Sequence, residues 1–413
     1  MGICWRDNEM KNYRILGMLV LSALLISGCS QRDGAFEGTE KQTVEEGKQD
    51  TPQTALGDFS NLDISGIEPD IPLPDHLYKM EAQGEGGWND EKIYEEFPQL
   101  IATYGGPQAD ELDPQKDIWF LASGDTFDEA RPLGEKGEEE INRIMYCSDE
   151  LFLELDSVMQ VSFHQPALIE RITGQEIGRH NEWLPNEHAD PVATHNPKEE
   201  NLEEVSYLLD GETVSLAECV KYVEETLTEN ESLPRVSTPG FEYKVDYVDV
   251  YQYGDNYGLW FTVDLYYEGV KLFSDTGVRF DTVDGKAWSY VPTLDRCMML
   301  RKNEINVIMV FDWLNEAQDS IEEVEPSVDY KTALQMLSGY LSDTHEFTVT
   351  DAQLVYSFYT EYEQEKGAAG LADGINRIEP VWMFEIAAEG AQRYSQMFIL
   401  IDVQTGEVVE LYA

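Results

Sequence analysis

The sequence predicts an α+β protein in which two repeated units, each a helix backing an antiparallel sheet, follow a mixed α+β N-terminal domain. Three observations carry that reading. In the second half, apolar residues change from helical spacing to a period of two, twice over and in the same order. The two stretches close on strand ends that align without a gap, Val278-Arg279-Phe280-Asp281-Thr282-Val283-Asp284-Gly285-Lys286 and Ile399-Leu400-Ile401-Asp402-Val403-Gln404-Thr405-Gly406-Glu407. Hydrophobic residues make up 42% of the chain, which excludes wholesale disorder and leaves material for a core.

From the N-terminus, Lys11 and Arg14 precede an apolar run from Ile15 to Ile26, which ends in Ser27-Gly28-Cys29. Such a run is too short to span a bilayer and has the three-part layout of an export signal. Met10 begins an equally ordinary signal, so translation from Met1 or from Met10 fits the same reading. The segment resembles the bacterial lipobox. That resemblance implies removal of residues 1–28, lipidation of Cys29, and a place on the outer face of the cell membrane. Residues 29–57 are polar, with the single aromatic Phe36, and cannot bury enough apolar surface to order themselves, so they read as a flexible tether.

Residues 58–205 read as the mixed domain. Pro69, Pro72 and Pro74 hold residues 58–80 extended along the body. Asp90–Tyr104 is a predicted helix stopped by Gly105-Gly106-Pro107, and Lys116–Leu121 a predicted strand. Glu138–Met159 is predicted helical from the spacing of Ile141, Ile144, Met145, Leu151, Leu153 and Leu155.

The first unit covers residues 206–300. Ser215-Leu216-Ala217-Glu218 is a capping box, and Leu216, Val220, Val223 and Leu227 follow at helical spacing. Phe241, Tyr243, Val245 and Tyr247 alternate, Tyr253-Gly254-Asp255-Asn256 turns, and Leu259 to Tyr267 alternate again. Glu268-Gly269 makes a further turn, and Val278–Asp281 the third strand. After a connecting segment, 301–327, the second unit covers 328–413. Asp329 caps a helix bearing Ala333, Leu334, Leu337, Tyr340 and Leu341, and strands follow around Leu354, Val381–Ile386 and Met397–Val403.

The run Tyr267-Glu268-Gly269-Val270-Lys271-Leu272-Phe273 leading to Asp281, and Pro380-Val381-Trp382-Met383-Phe384 leading to Asp402 and Gly406, resemble PepSY-type domains. Related extracytoplasmic modules occur in Gram-positive regulatory proteins of the YycI and YpeB type. The resemblance covers under half of the chain. It implies a module that binds or restrains another protein, and it brings no catalytic residues with it.

Charge narrows the partners. With 81 acidic and 28 basic residues the formal net charge is −53. Nucleic acid would be repelled, because its binding depends on lysine and arginine displacing counterions from phosphates. Motifs of serine hydrolases, zinc peptidases and nucleotide-binding loops are absent from the sequence. Half of the six histidines, His180, His188 and His195, lie close together with Glu182, Glu187 and Asp190, and would carry a metal-dependent hydrolase. Their spacing fits no helix face, so a solvated loop is the leading expectation there. Carboxylates at Glu138-Glu139-Glu140, Glu199-Glu200 and Glu322-Glu323 read as solvated faces, and Asp58–Asp63 is a poor calcium loop. Cys219 lies on the first predicted helix and reads as a small core residue. The expectation is therefore a non-enzymatic, membrane-anchored lipoprotein without a cofactor, bound to a protein or peptide partner. Its rivals are the metal-dependent hydrolase and a solute-binding envelope protein with a ligand-sized pocket.

Overall fold

The computed structural model describes residues 59, 61–83, 92–122, 124–137, 141–156, 160–175, 190–229, 241–273, 280–283, 286–289, 295–311, 320–341, 347–361, 374–387 and 397–412. The expected signal, Cys29 and the tether lie outside them, as do His180, His188, Asp58 and Glu138–Glu140. Residues 55–413 form one compact unit. The fold is α+β, with few helices against large mixed sheets. No described helix is long and apolar enough to cross a membrane.

Short strands β1 (Leu62–Asp63) and β2 (Leu77–Gln83) open the chain, separated by the proline-rich stretch. A π-turn at Lys92–Glu96 runs into α1 (Phe97–Thr103), and Tyr104 and Gly105 close it by hydrogen bonds back to Leu100 and Ala102. Asp113 caps the short α2 (Pro114–Asp117), which delays β3 (Ile118–Ala122) by two residues relative to the strand expected from sequence. After β4 (Arg131–Pro132) come β5 (Ile141–Cys147), β6 (Phe152–Asp156) and β7 (Gln160–His164), a meander where a helix was expected over Glu138–Met159. The Ser148 hydroxyl accepts from the backbone of Glu150 and Leu151 and turns the chain. Ile144 and Met145 are both buried, as are Phe152 and Leu153, so both faces of the hairpin are covered. A strand covered on both faces loses its alternation, and its leftover spacing mimics a helix.

Helix α3 (Pro166–Thr173) ends on Gly174 in the left-handed region, and β8 (Ala193–His195) follows. The hairpin β9 (Ser206–Leu209) and β10 (Glu212–Ser215) turns at Asp210, which accepts from Nη1 and Nη2 of Arg171 at 2.7 and 2.9 Å and from Arg301 Nε at 3.0 Å. Helix α4 (Leu216–Glu229) begins directly after Ser215 and packs on β11 (Phe241–Tyr253). Cys219 is buried on it, and among the described residues Cys147, Cys219 and Cys297 form no disulfide. β11 pairs with β12 (Asn256–Tyr267) over its whole length, with a bulge between Val245 and Tyr247. The bulge resets the alternation, so Val248 and Val250 face the core while Tyr247 does not.

The remaining strands are β13 (Val270–Leu272), β14 (Phe280–Val283), β15 (Lys286–Ser289), β16 (Asp295–Met299), β17 (Val307–Phe311) and β18 (Ile321–Val324). Then come α5 (Tyr330–Tyr340), β19 (Phe347–Glu361), β20 (Ile375–Ala387), β21 (Met397–Asp402) and β22 (Val408–Tyr412). As the sequence predicts, Asp329 caps α5, accepting from Thr332 N–H at 2.7 Å, and Ala333, Leu334 and Leu337 are buried, whereas Tyr340, expected on the same face, is exposed and donates to Glu410. Trp382 Nε1 donates to Val328 O at 2.8 Å, fixing the entry to α5 against the sheet.

Pairing cuts across the domain boundaries expected from sequence. β3, β5, β6 and β7 join β17, which falls in the segment expected to connect the units, and through β16 they reach β12, β11 and β8. β1 runs parallel to β19, and β2 pairs with both β18 and β20. Three-residue β13 lies between β12 and β19 and joins the halves. Residues 58–205 therefore contribute to both halves rather than forming a domain of their own.

Each expected unit does present a helix followed by a long antiparallel pair. The third strands differ. β21 pairs with β20, whereas the aligned β14 pairs with β15, and the place beside β12 belongs to β16. Asp281 sits opposite Trp288 within a ladder, while Asp402 ends its strand and ties a turn. The aligned aspartates are thus not equivalent: β14 continues past Asp281 to the Val283–Lys286 pair, whereas β21 stops at Asp402.

Candidate functional site

Of the three histidines considered for a metal, His195 is described. It stands on β8, half-buried, and both ring nitrogens are engaged. Nδ1 lies 2.9 Å from Glu200 Oε2 and Nε2 lies 2.6 Å from the Tyr207 hydroxyl. An ionised carboxylate only accepts, so Nδ1 donates to Glu200, while Nε2 and the Tyr207 hydroxyl share a hydrogen bond. Burial pushes the Tyr207 phenol up, so it keeps its proton and is no activated nucleophile. His180 and His188 lie outside the described residues. Among the described residues no group of three or more His, Cys, Asp or Glu side chains is placed to hold a metal ion. The Cys219 thiol is pushed up to about 11, chiefly by burial, which suits an inert core residue.

The expected solvated carboxylates hold surface elements together. Glu323 meets His76 at 2.6 Å and Glu322 meets Lys79 at 3.1 Å, tying β18 to β2. A buried charge cluster lies on β12, where Asp264 is 1% exposed. Its Oδ2 is 2.8 Å from Lys271 Nζ and 3.7 Å from Lys198 Nζ, and desolvation still raises its pKa.

Among the described residues, one arrangement suited to receiving another molecule lies on the C-terminal sheet, on the face turned away from α5. Trp382, Phe384, Ile399 and Ile401 belong to the main core, while Val355, Val381, Met383, Phe398, Leu400 and Leu411 form a separate cluster on the opposite face. At one end of that cluster a groove of about 150 Å³ opens between β20, β21 and β22. Val381, Leu400 and Val409 make its apolar floor. Glu379, Asp402 and Glu407 stand around it, with Thr405 and Gln404, and Lys79 is at one side.

Asp402 is placed by its turn. Its Oδ1 accepts from the backbone of Gln404 at 3.0 Å and Thr405 at 2.6 Å, and from the Thr405 hydroxyl at 2.7 Å. Gly406 takes φ +74°, and its N–H reaches Asp402 O at 2.9 Å. Tyr359, buried in the same groove, donates to Glu379. Its phenol is pushed far up, first by burial and then by the carboxylates of Glu379, Glu361 and Asp402. The groove therefore carries a negative field over an apolar base. Sequence patterning marks Asp402 as a turn residue but misses the groove, since four separated segments build it and its floor has ordinary core residues.

No family model matches the chain, and no curated protein matches it. Among solved structures it is similar to the Bacillus megaterium YpeB C-terminal domain, at 11% identity and a TM-score of 0.26, across 79% of this chain and 99% of that one. A likeness so slight carries no argument about role, which has to come from the geometry of the groove itself.

Proposed function

We propose that this chain is a non-catalytic binding protein, held to the outer face of a cell membrane through Cys29, that docks a segment of a partner protein on its C-terminal sheet. One observation carries the docking: the apolar-floored groove lies directly beside β22, which among the described strands pairs with β21 alone. An exposed edge offers unpaired backbone groups that an extended peptide can complete, while alternate side chains enter neighbouring pockets. The groove's 150 Å³ is well below the ~300–1,000 Å³ of sites that enclose small molecules. Its size suits one side chain of a longer ligand better than a free solute. The lipobox resemblance supports the anchorage, and the helix-backed sheet of β19, β20 and β21 supports a PepSY-type reading of residues 328–413.

The test uses a randomised decapeptide pool and hydrogen exchange on the chain lacking residues 1–28. Bound peptides should slow exchange along β22, and Val409→Asp should abolish both binding and protection. Binding unchanged by Val409→Asp would overturn the docking site.

A further inference from the structure

We infer that the seating of β1 regulates the docking edge, because the last turn of α5 links Asn61, beside β1, to Glu410 on β22. This rests on the docking role proposed for the C-terminal sheet and adds how that edge is controlled.

The link begins at a helix end that does not hold itself. The last turn of α5 contains Gly339, a weak helix former, and no basic side chain offsets its unpaired carbonyls. Asn61, 1% exposed and 277 residues from Ser338 in sequence, supplies the cap instead. Its Nδ2 donates to Ser338 O at 2.8 Å and to Leu341 O at 3.3 Å, and its Oδ1 accepts from the Ser338 hydroxyl at 2.7 Å. The backbone of the same residue fastens β1 beside β19, for Asn61 O accepts from Phe347 N–H at 2.9 Å. Anything that draws β1 off β19 therefore strips the cap from α5.

The link ends on β22. Tyr340, exposed on that same turn, donates to Glu410 Oε2 at 2.9 Å. Burial and then the Glu410 carboxylate push its phenol up, so it keeps the proton it donates. The bond from Asp402 N–H to Glu407 O at 2.9 Å sets the ladder of the last hairpin. Glu407, Val409 and Leu411 turn their backbone groups to β21, so those of Val408, Glu410 and Tyr412 point away from it, to the edge. Glu410 thus meets α5 by its side chain and serves the docking edge by its backbone. With the turn wound, the edge is held ready. With it frayed, Glu410 is released, and an incoming segment has first to order the strand it joins.

Amide exchange on the chain lacking residues 1–28 tests the link without a ligand. Asn61→Ala should speed exchange at residues 338–341 and at 408–412 by at least about fivefold. Ser338→Ala, which cuts the hydroxyl bond alone, should do so to a smaller degree and serves where the first variant does not fold. Tyr340→Phe should loosen β22 alone, and adding Asn61→Ala to it should leave β22 no looser. Fraying of α5 without a change in β22 overturns the link, and so does an effect of Asn61→Ala on β22 that survives Tyr340→Phe. The randomised decapeptide pool then reads the regulation by fluorescence anisotropy. Its affinity should fall at least about fivefold in Asn61→Ala, and its binding should slow exchange at residues 338–341 in the wild type but not in Tyr340→Phe. Equal affinity for wild type and Asn61→Ala overturns the regulation. A pool that binds neither overturns the docking site, and with it the regulation, while the exchange results still decide the link between β1 and β22.

Discussion

At the scale of single residues, two buried or strained positions lead to measurable outcomes. His164 on β7 is 1% exposed, stacks on Phe152 with ring centroids 4.4 Å apart, and its Nε2 has no hydrogen-bond partner. Burial lowers its pKa from 6.5 to about 3. Between those values the unfolded chain takes up a proton that the folded chain refuses. The stability His164 allows is thus present above pH 6.5 and drains away as pH falls toward 3, at up to about 1.4 kcal/mol per pH unit. His164→Leu should flatten that part of the curve, as read from urea midpoints across the window. Wild-type and variant curves that stay parallel would show that His164 is not the source. Gly406 gives the second outcome. A Cβ there would meet Met336 Cε at 2.8 Å as well as the strain of φ +74°, whereas at Gly254, φ +61°, nothing lies within 4 Å. Gly406→Ala should cost about 1–3 kcal/mol, and Gly254→Ala should sit at the lower end of that range. Thermal unfolding of the two variants compares them directly.

At the scale of elements, β13 is the joint. Its three residues pair with β12 on one side and β19 on the other, and Lys271 at its centre neutralises Asp264. Lys271→Met leaves a buried carboxylate with only the more distant Lys198, which should cost about 3–5 kcal/mol. Adding Asp264→Leu should recover most of the loss, and chemical denaturation of the pair decides it. The elements also show what could be read in advance. α5 was legible because Asp329 and one apolar face mark it, and β12 because Leu259, Phe261, Val263 and Leu265 alternate with Thr262 and Asp264, although both of its faces are buried. The β5–β6 hairpin was not, since apolar residues on both of its faces leave no such alternation. The bulge at Asp246 shifts the β11 pattern by one residue with no glycine or proline to announce it. Pairing partners such as β17 with β7 lie far apart in sequence, and periodicity carries no information about them. The groove was illegible for the same reason.

At the scale of the whole molecule, twenty described strands form one hydrogen-bonded network, and its two ends in sequence meet. Asn61 donates to Ser338 O at 2.8 Å, Ser338 Oγ donates back to Asn61 Oδ1 at 2.7 Å, and Tyr330 donates to Glu68 O at 3.0 Å. Leu77 and Met80 of β2 are 1% exposed beneath the C-terminal half. A chain beginning at residue 84 should therefore lose stability in that half rather than merely shed a leader. Its β20 amides should exchange several-fold faster than in the longer chain. Unchanged exchange would mean that the docked strands are dispensable.

The parallel seat of Leu62 and Asp63 on Phe347 and Thr348 also sets an order of events during synthesis. A ribosome makes Leu62 and Asp63 long before Phe347 and Thr348, so β1 waits, unpaired, until β19 has emerged. Contacts that join such distant stretches form late and slowly, and until they form β1 stays an open edge.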